Sequence, residues 1–196
     1  MGNKRTGIVA LALGVSVLLF LLSKTSRGQR FVTDITQSAR LKAFLYMIRY
    51  SEGTLGLAGY KTLYGGRAWT GSDATHPALM GWRGLLLSAA HCRGAGLSPG
   101  CVSTAAGAYQ FLKGTWSRLA QKHSLPDFGE DSQDRAAIEL IREAGALDDV
   151  VAGNFSIAVT KVRKIWASLP GAGYGQGERS MLALANVYNK ALATFS

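Results

Sequence analysis

No two of the histidines His76, His91 and His123 stand at a metal-binding spacing, so a zinc-hydrolase reading has no support. They read as surface or packing residues. The glycine-rich stretch GAGYGQG at 171–177 has neither a following lysine nor a strand-to-helix context, which excludes a phosphate-cradling loop. No Lys/Arg run interleaved with aromatics occurs beyond the N-terminus, so nucleic acid is not an expected partner. No internal repeat occurs, and no cofactor or metal is implied. Acids are missing from residues 1–30, which carry Lys4, Arg5, Lys24, Arg27 and Arg30. The formal charge of +10 is therefore partly a property of that end, and the remainder, with 17 basic and 12 acidic residues, is only mildly basic. Cysteine is scarce: Cys92 and Cys101 flank RGAGLSPG, and an even count around a Gly/Pro loop suits a disulfide in an oxidising compartment.

What is abundant is apolar residues, 47% of the chain, enough for a real core. The charge-free run TGIVALALGVSVLLFLLS, residues 6–23, follows Lys4 and Arg5. It lies between the ~7–15 apolar residues of a signal-peptide core and the ~20 of a membrane span. No A-x-A cleavage site follows, so an uncleaved signal-anchor is expected, with the N-terminus inside and the rest outside. Gly7, Ala10, Ala12, Gly14 and Ser16 make its first half weakly hydrophobic. Residues 1–30 are thus read as a membrane signal-anchor and linker, and 31–196 as the folded domain.

Helical periodicity starts at Gln37: Leu41, Phe44, Leu45 and Ile48 share one face, and the helix is expected to stop at Ser51-Glu52-Gly53. Residues 53–104 are Gly-rich with scattered Tyr, Thr and Trp, which suggests a small β lobe with a hairpin near Tyr60–Trp69. Further helices are expected over 106–123, 131–144, 154–168 and 178–195, with Trp116 and Trp166 packed inside. The sum is a mainly helical α+β domain with a small β lobe.

A carboxylate at a helix C-terminus meets the negative end of the dipole, which favours its protonated form. Glu52 is so placed, and an acid that keeps its proton near neutral pH suits general-acid work. Position alone also allows an exposed residue on a fraying helix end.

Four stretches carry more. RYSEGT at 49–54, STAAGAYQFL at 103–112, SQDRAA at 132–137 and IWASLPGAGYGQ at 165–176 together resemble the lambda-type phage endolysins, over about residues 37–178 and in the same order. The family implies a lysozyme-like fold, a lytic transglycosylase activity on peptidoglycan glycan strands, and a catalytic glutamate in the S-E-G-T motif, here Glu52. It implies that Gly107, Tyr109 and Gln110 line the sugar cleft. Thr54, Tyr60, Tyr174 and Gln176 are further candidates for sugar contact, as, more weakly, are Tyr64 and Trp69. The other common type of phage lysozyme carries an Asp nine residues after the Glu and a Thr six later; Lys61 and Arg67 stand there instead. Asp73, the nearest acid, reads as solvated. One carboxyl suffices for a transglycosylase, because the substrate's own hydroxyl replaces the second acid. A hydrolytic lysozyme and a non-catalytic, membrane-anchored murein-binding protein are the competing readings.

The chain departs from the lambda-type pattern twice: in its apolar N-terminal segment, and in CRGAGLSPGC, which looks like an insertion. By analogy with signal-anchor-release endolysins, these imply a monomer exported by the host machinery, held in the inner membrane through residues 6–23 with a periplasmic catalytic domain, and then released.

Overall fold

The computed structural model describes residues 38–175 and 177–196. The expected anchor at 6–23, the linker and Gln176 lie outside the described residues. Among the described residues no helix is long and apolar enough to cross a membrane.

Residues Ala39–Ser196 form one unit built around its first helix, α1 (Ala39–Ser51). Leu41, Phe44, Leu45 and Ile48, the face legible in the sequence, are all buried, with Ala43 and Met47 widening it. That face packs mainly against the last helix of the chain. Phe44 meets Phe155 edge-on at 6.3 Å, and Phe155 meets Tyr188 at 4.8 Å. The helix ends as its sequence suggests. Gly53 takes φ +72°, the Gly53 amide bonds the Tyr50 carbonyl at 3.1 Å, and the Thr54 amide bonds that of Arg49 at 2.9 Å. This is the paired closure that leaves Glu52 as the cap residue just past the end of the helix and needs a left-handed residue after it.

The segment expected to be a β lobe is more mixed. It holds 3-10 turns at Leu57–Lys61 and Pro77–Leu79, strands β1 (Leu85–Leu86) and β2 (Val102–Ser103), and a short helix α2 (Ala89–Gly94) between the strands. The strands pair antiparallel, Leu85 with Ser103 and Leu86 with Val102. Cys92 on α2 is disulfide-bonded to Cys101 beside β2, as the loop between them suggested. The hairpin near Tyr60–Trp69 forms through a Thr62–Ala68 bridge, with Leu63 bonding Arg67 and Trp69 bonding Lys61, each at 2.7 Å.

The rest is helical: α3 (Lys113–His123), α4 (Glu130–Glu143), α5 (Leu147–Ala152), α6 (Phe155–Val162) and α7 (Met181–Phe195). Three expected helices are shorter than their patterns, the last by only three residues at its start. Residues 106–112 form a tight turn rather than a first helical turn, because Gly107 and Gln110 both adopt positive φ. The helix expected over 154–168 stops at Val162, and 163–168 continue as turns. A second aromatic cluster supports the 106–112 turn: Tyr109, Phe111, Trp116 and Phe128, with Trp116 and Phe128 4.5 Å apart. Burying each such ring contributes about 1.5–3 kcal/mol. His76 belongs to this cluster too. It is fully buried against Phe128, its Nε2 is 2.9 Å from the Phe111 carbonyl, and its Nδ1 accepts from the Ala78 amide. Burial lowers its pKa, so it is a neutral packing residue.

Candidate active site

Glu52 is half-buried at the end of α1. Its Oε1 receives the Ser168 hydroxyl at 2.5 Å, and Ser168 Oγ also lies 2.9 Å from Ser51 Oγ. Burial pushes the Glu52 carboxyl above the ordinary carboxylate range, against the opposing hydrogen bonds from the Ser168 side chain and backbone. Ser168 is fixed by its neighbours. Trp166 is buried and donates its indole N–H to the Tyr109 carbonyl at 3.1 Å, Leu169 is fully buried, and the Ser168 carbonyl accepts from the Arg179 amide at 2.8 Å.

The 106–111 turn faces this end of α1 through Thr54. The Thr54 hydroxyl donates to the Ala108 carbonyl at 2.5 Å, and the residue is buried. The turn is closed by mutual backbone bonds between Ala106 and Phe111. Gln110 holds φ +48°, a conformation costing a non-glycine residue roughly 1–2 kcal/mol. Its amide offsets this by donating to the Thr62 carbonyl at 3.1 Å and the Gly107 carbonyl at 2.9 Å. Gln133 on α4, fully buried, holds the turn from below. Its Oε1 accepts from the Ala108 amide at 2.8 Å, and its Nε2 donates to the Tyr60 and Phe128 carbonyls at 2.9 and 2.7 Å.

A third group of side chains ties α1, the first 3-10 turn and α4 together. Asp134 Oδ1 accepts from Tyr109 at 2.7 Å and from Tyr60 at 2.8 Å. Arg49 donates to the Tyr60 hydroxyl at 3.1 Å and to the Gly56 carbonyl at 2.5 Å, with its guanidinium 4.3 Å from the Tyr60 ring centre. Burial raises the Asp134 carboxyl, countered by the two tyrosine hydroxyls and by Arg49. Burial and the Asp134 charge raise both phenols, so Tyr60 and Tyr109 remain donors.

The expected sugar contacts therefore divide. Thr54, Tyr60, Gly107 and Tyr109 are all buried, their polar groups spent on Ala108, Asp134 and Thr62. Those groups are thus turned onto other parts of the protein, while Tyr60 also borders a small cavity. Gln110 and Tyr174 are half-buried and reach the surface. The Tyr174 hydroxyl donates to the Lys164 carbonyl at 2.9 Å. The loop bearing Tyr174 is held by Glu178, whose two carboxyl oxygens accept from the Gly171 and Gly173 amides at 2.7 and 2.8 Å; these bonds lower its pKa. Asp73 forms an ion pair with Lys61 at 2.8 Å and lines a small cavity with Tyr60, Phe128 and Glu130. Sequence reading missed Ser168, Gln133, Asp134 and Arg49 as site residues. All four lie inside the stretches that carried the resemblance, and buriable polar residues in those stretches were the available signal.

The fold and the half-buried carboxyl at a helix end define a lysozyme-like protein. A structure of bacteriophage lambda lysozyme complexed with a chitohexasaccharide is similar at a TM-score of 0.65 and 35% identity, over 78% of this chain and 94% of that one. A second structure of lysozyme from bacteriophage lambda gives 0.57 and 32%, over 80% and 92%. A family model described as Endolysin matches residues 42–195. The endolysin of Escherichia phage lambda is 36% identical over 159 residues, 78% of this chain and 91% of that protein. The endolysin of Escherichia phage P2 is 54% identical over 89 residues, 45% of this chain and 54% of that protein. The chain belongs to the endolysin family, phage proteins that degrade peptidoglycan for host lysis.

Proposed function

We propose that this endolysin is a lytic transglycosylase that cleaves the MurNAc–GlcNAc bond and leaves 1,6-anhydro-MurNAc ends, with Glu52 as its single acid and base. The observation that carries this reading is one desolvated carboxyl held by a hydroxyl, Glu52 on Ser168, while Asp73 is paired with Lys61 and Asp134 with two tyrosines. Protonated Glu52 gives its proton to the glycosidic oxygen as the bond to C1 of MurNAc breaks. The resulting carboxylate takes the proton of the same sugar's C6 hydroxyl, whose oxygen closes on C1. Glu52 ends protonated, and no water is consumed. The attacking group is already attached to the substrate, and oriented intramolecular attack reaches effective molarities of about 10⁵–10⁸ M.

Gln110 and Tyr174 line the glycan path, and Thr54, Tyr60, Gly107 and Tyr109 shape its wall; Gln176 stays a candidate sugar contact on the family resemblance alone. The similarity to a lambda lysozyme complexed with a chitohexasaccharide supports glycan binding. The protein works as a monomer. The Cys92–Cys101 disulfide suits an oxidising compartment, which favours residues 6–23 as a signal-anchor delivered by the host export machinery and residues 31–196 as a periplasmic domain.

The test is a mass spectrum of purified murein digested by the full chain. Anhydro-muropeptides, about 18 Da lighter than their hydrated counterparts, are expected; reducing ends in their place would mean hydrolysis by a second acid.

A further inference from the structure

We infer that Ser168 and Ser51 form a reversible hydroxyl relay that can serve Glu52 in both its acid and its carboxylate forms, so that Ser168 is the positioning residue that lets one glutamate act first as acid and then as base. The inference rests on the reading of Glu52 as the catalytic group.

A serine hydroxyl has one proton to donate and two lone pairs to accept with. Ser168 Oγ lies 2.5 Å from Glu52 Oε1 and 2.9 Å from Ser51 Oγ, so its one proton serves only one of them at a time. Ser51 Oγ in turn lies 2.8 Å from the Ile48 carbonyl. Two orders of donation satisfy this row. When Glu52 is protonated, it donates to Ser168, Ser168 donates to Ser51, and Ser51 donates to Ile48. When Glu52 is ionised, Ser51 donates to Ser168 and Ser168 donates to Glu52. The reversed order frees the Ile48 carbonyl, but that oxygen keeps the Glu52 amide as a partner at 3.0 Å. No buried polar group is stranded in either state, and the change needs only two hydroxyl rotations.

The Ser168 backbone N–H favours the carboxylate alone, and a carbonyl in place of the hydroxyl would favour the acid alone. Only a hydroxyl with a second hydroxyl behind it fits both. A transglycosylase needs this, because its glutamate changes state twice in each turnover. Ser51 is buried, and Ser168 is anchored between buried Trp166 and Leu169, so the row is held without substrate.

The test uses the full chain and follows kcat and KM for murein solubilisation across pH, with thermal unfolding as a check on folding. Ser168→Ala should lower kcat about ten- to a hundredfold with little change in KM, the loss expected for a hydrogen bond to a charged group. Its alkaline limb should move to higher pH, because the carboxylate has lost its hydroxyl donor and keeps only the Ser168 backbone N–H. Ser168→Thr, which restores the hydroxyl, should recover most of the rate and the original limb. Ser51→Ala should move the limb the other way, by a smaller amount, because it strands the Ser168 proton in the acid form. Unchanged limbs in both alanine variants, or shifts of the same sign, would overturn the relay. If Ser168→Ala does not fold, the direction of the Ser51→Ala shift decides alone. Glu52→Gln separates the two claims: an active Glu52→Gln sinks the reading of Glu52 itself, whereas an inactive one beside unshifted serine variants sinks only the relay.

Discussion

Replacing Gly107 by alanine tests whether the 106–111 turn is held from below by Gln133. Gly107 sits at φ +80°, where a side chain costs roughly 1–2 kcal/mol. Its new Cβ would also lie 2.2 Å from Gln133 Oε1 and 2.8 Å from Gln133 Cδ. Gln133 is fully buried, and all three of its hydrogen bonds go to backbone groups, so retreat strands at least the Ala108 amide. An unsatisfied buried donor costs about 1–3 kcal/mol. The two contributions together predict a loss of about 2–5 kcal/mol, a large share of the ~5–15 kcal/mol that holds a domain folded. Equilibrium denaturant unfolding followed by tryptophan fluorescence measures it, and the corresponding fall in Tm is about 4–20 °C. Gly53→Ala supplies the control: φ is +72° there, but nothing lies within 4 Å of the added atom, so only the backbone cost of roughly 1–2 kcal/mol remains. A Gly107→Ala variant no less stable than Gly53→Ala would refute the reasoning, since it would mean that Gln133 yields without losing a bond.

Glu52→Gln should abolish lysis and yet stabilise the protein. The folded state raises the Glu52 pKa, so the carboxyl is tolerated below its ordinary titration range and becomes destabilising as pH rises through the folded value. The variant's stability advantage, on the order of 1 kcal/mol, should therefore be present at pH 7–8 and vanish near pH 4; an advantage independent of pH would point to another cause. Reducing the Cys92–Cys101 bond, which closes a short loop, should cost about 2–3 kcal/mol. Unfolding with and without dithiothreitol measures this, and identical transitions would show that the loop is already ordered by its contacts.

The sequence made legible what depends on local pattern: the buried stripe of α1, its glycine stop, the acidic start of α4 and the amphipathic α7. It also placed Glu52 at a helix end before any partner was known. It misled where local pattern and backbone geometry part. AGAYQF has helical spacing, but a left-handed Gly107 and a left-handed Gln110, the latter held by its own side-chain bonds, turn it back on itself. Nor does aromatic content separate a sugar platform from a core residue. Tyr60 and Tyr109 read as sugar contacts, yet their hydroxyls converge on Asp134, 74 and 25 residues away. Ser168 was hidden for the same reason. Its partner Glu52 is 116 residues distant, and no periodicity reports such a meeting.

That separation has a consequence during synthesis. Helix α1 is made early, but its main packing partner α7 and the hydroxyl that holds Glu52 come from the last thirty residues of the chain. A nascent polypeptide that carries Glu52 but ends before Trp166 lacks the core that positions the helix and the group that sets the carboxyl. With Glu52 as the proposed catalytic group, truncated or stalled translation products are expected to be inert until the C-terminal segment docks. The order in which the parts emerge would then keep incomplete copies of an envelope-degrading protein harmless to the cell making them.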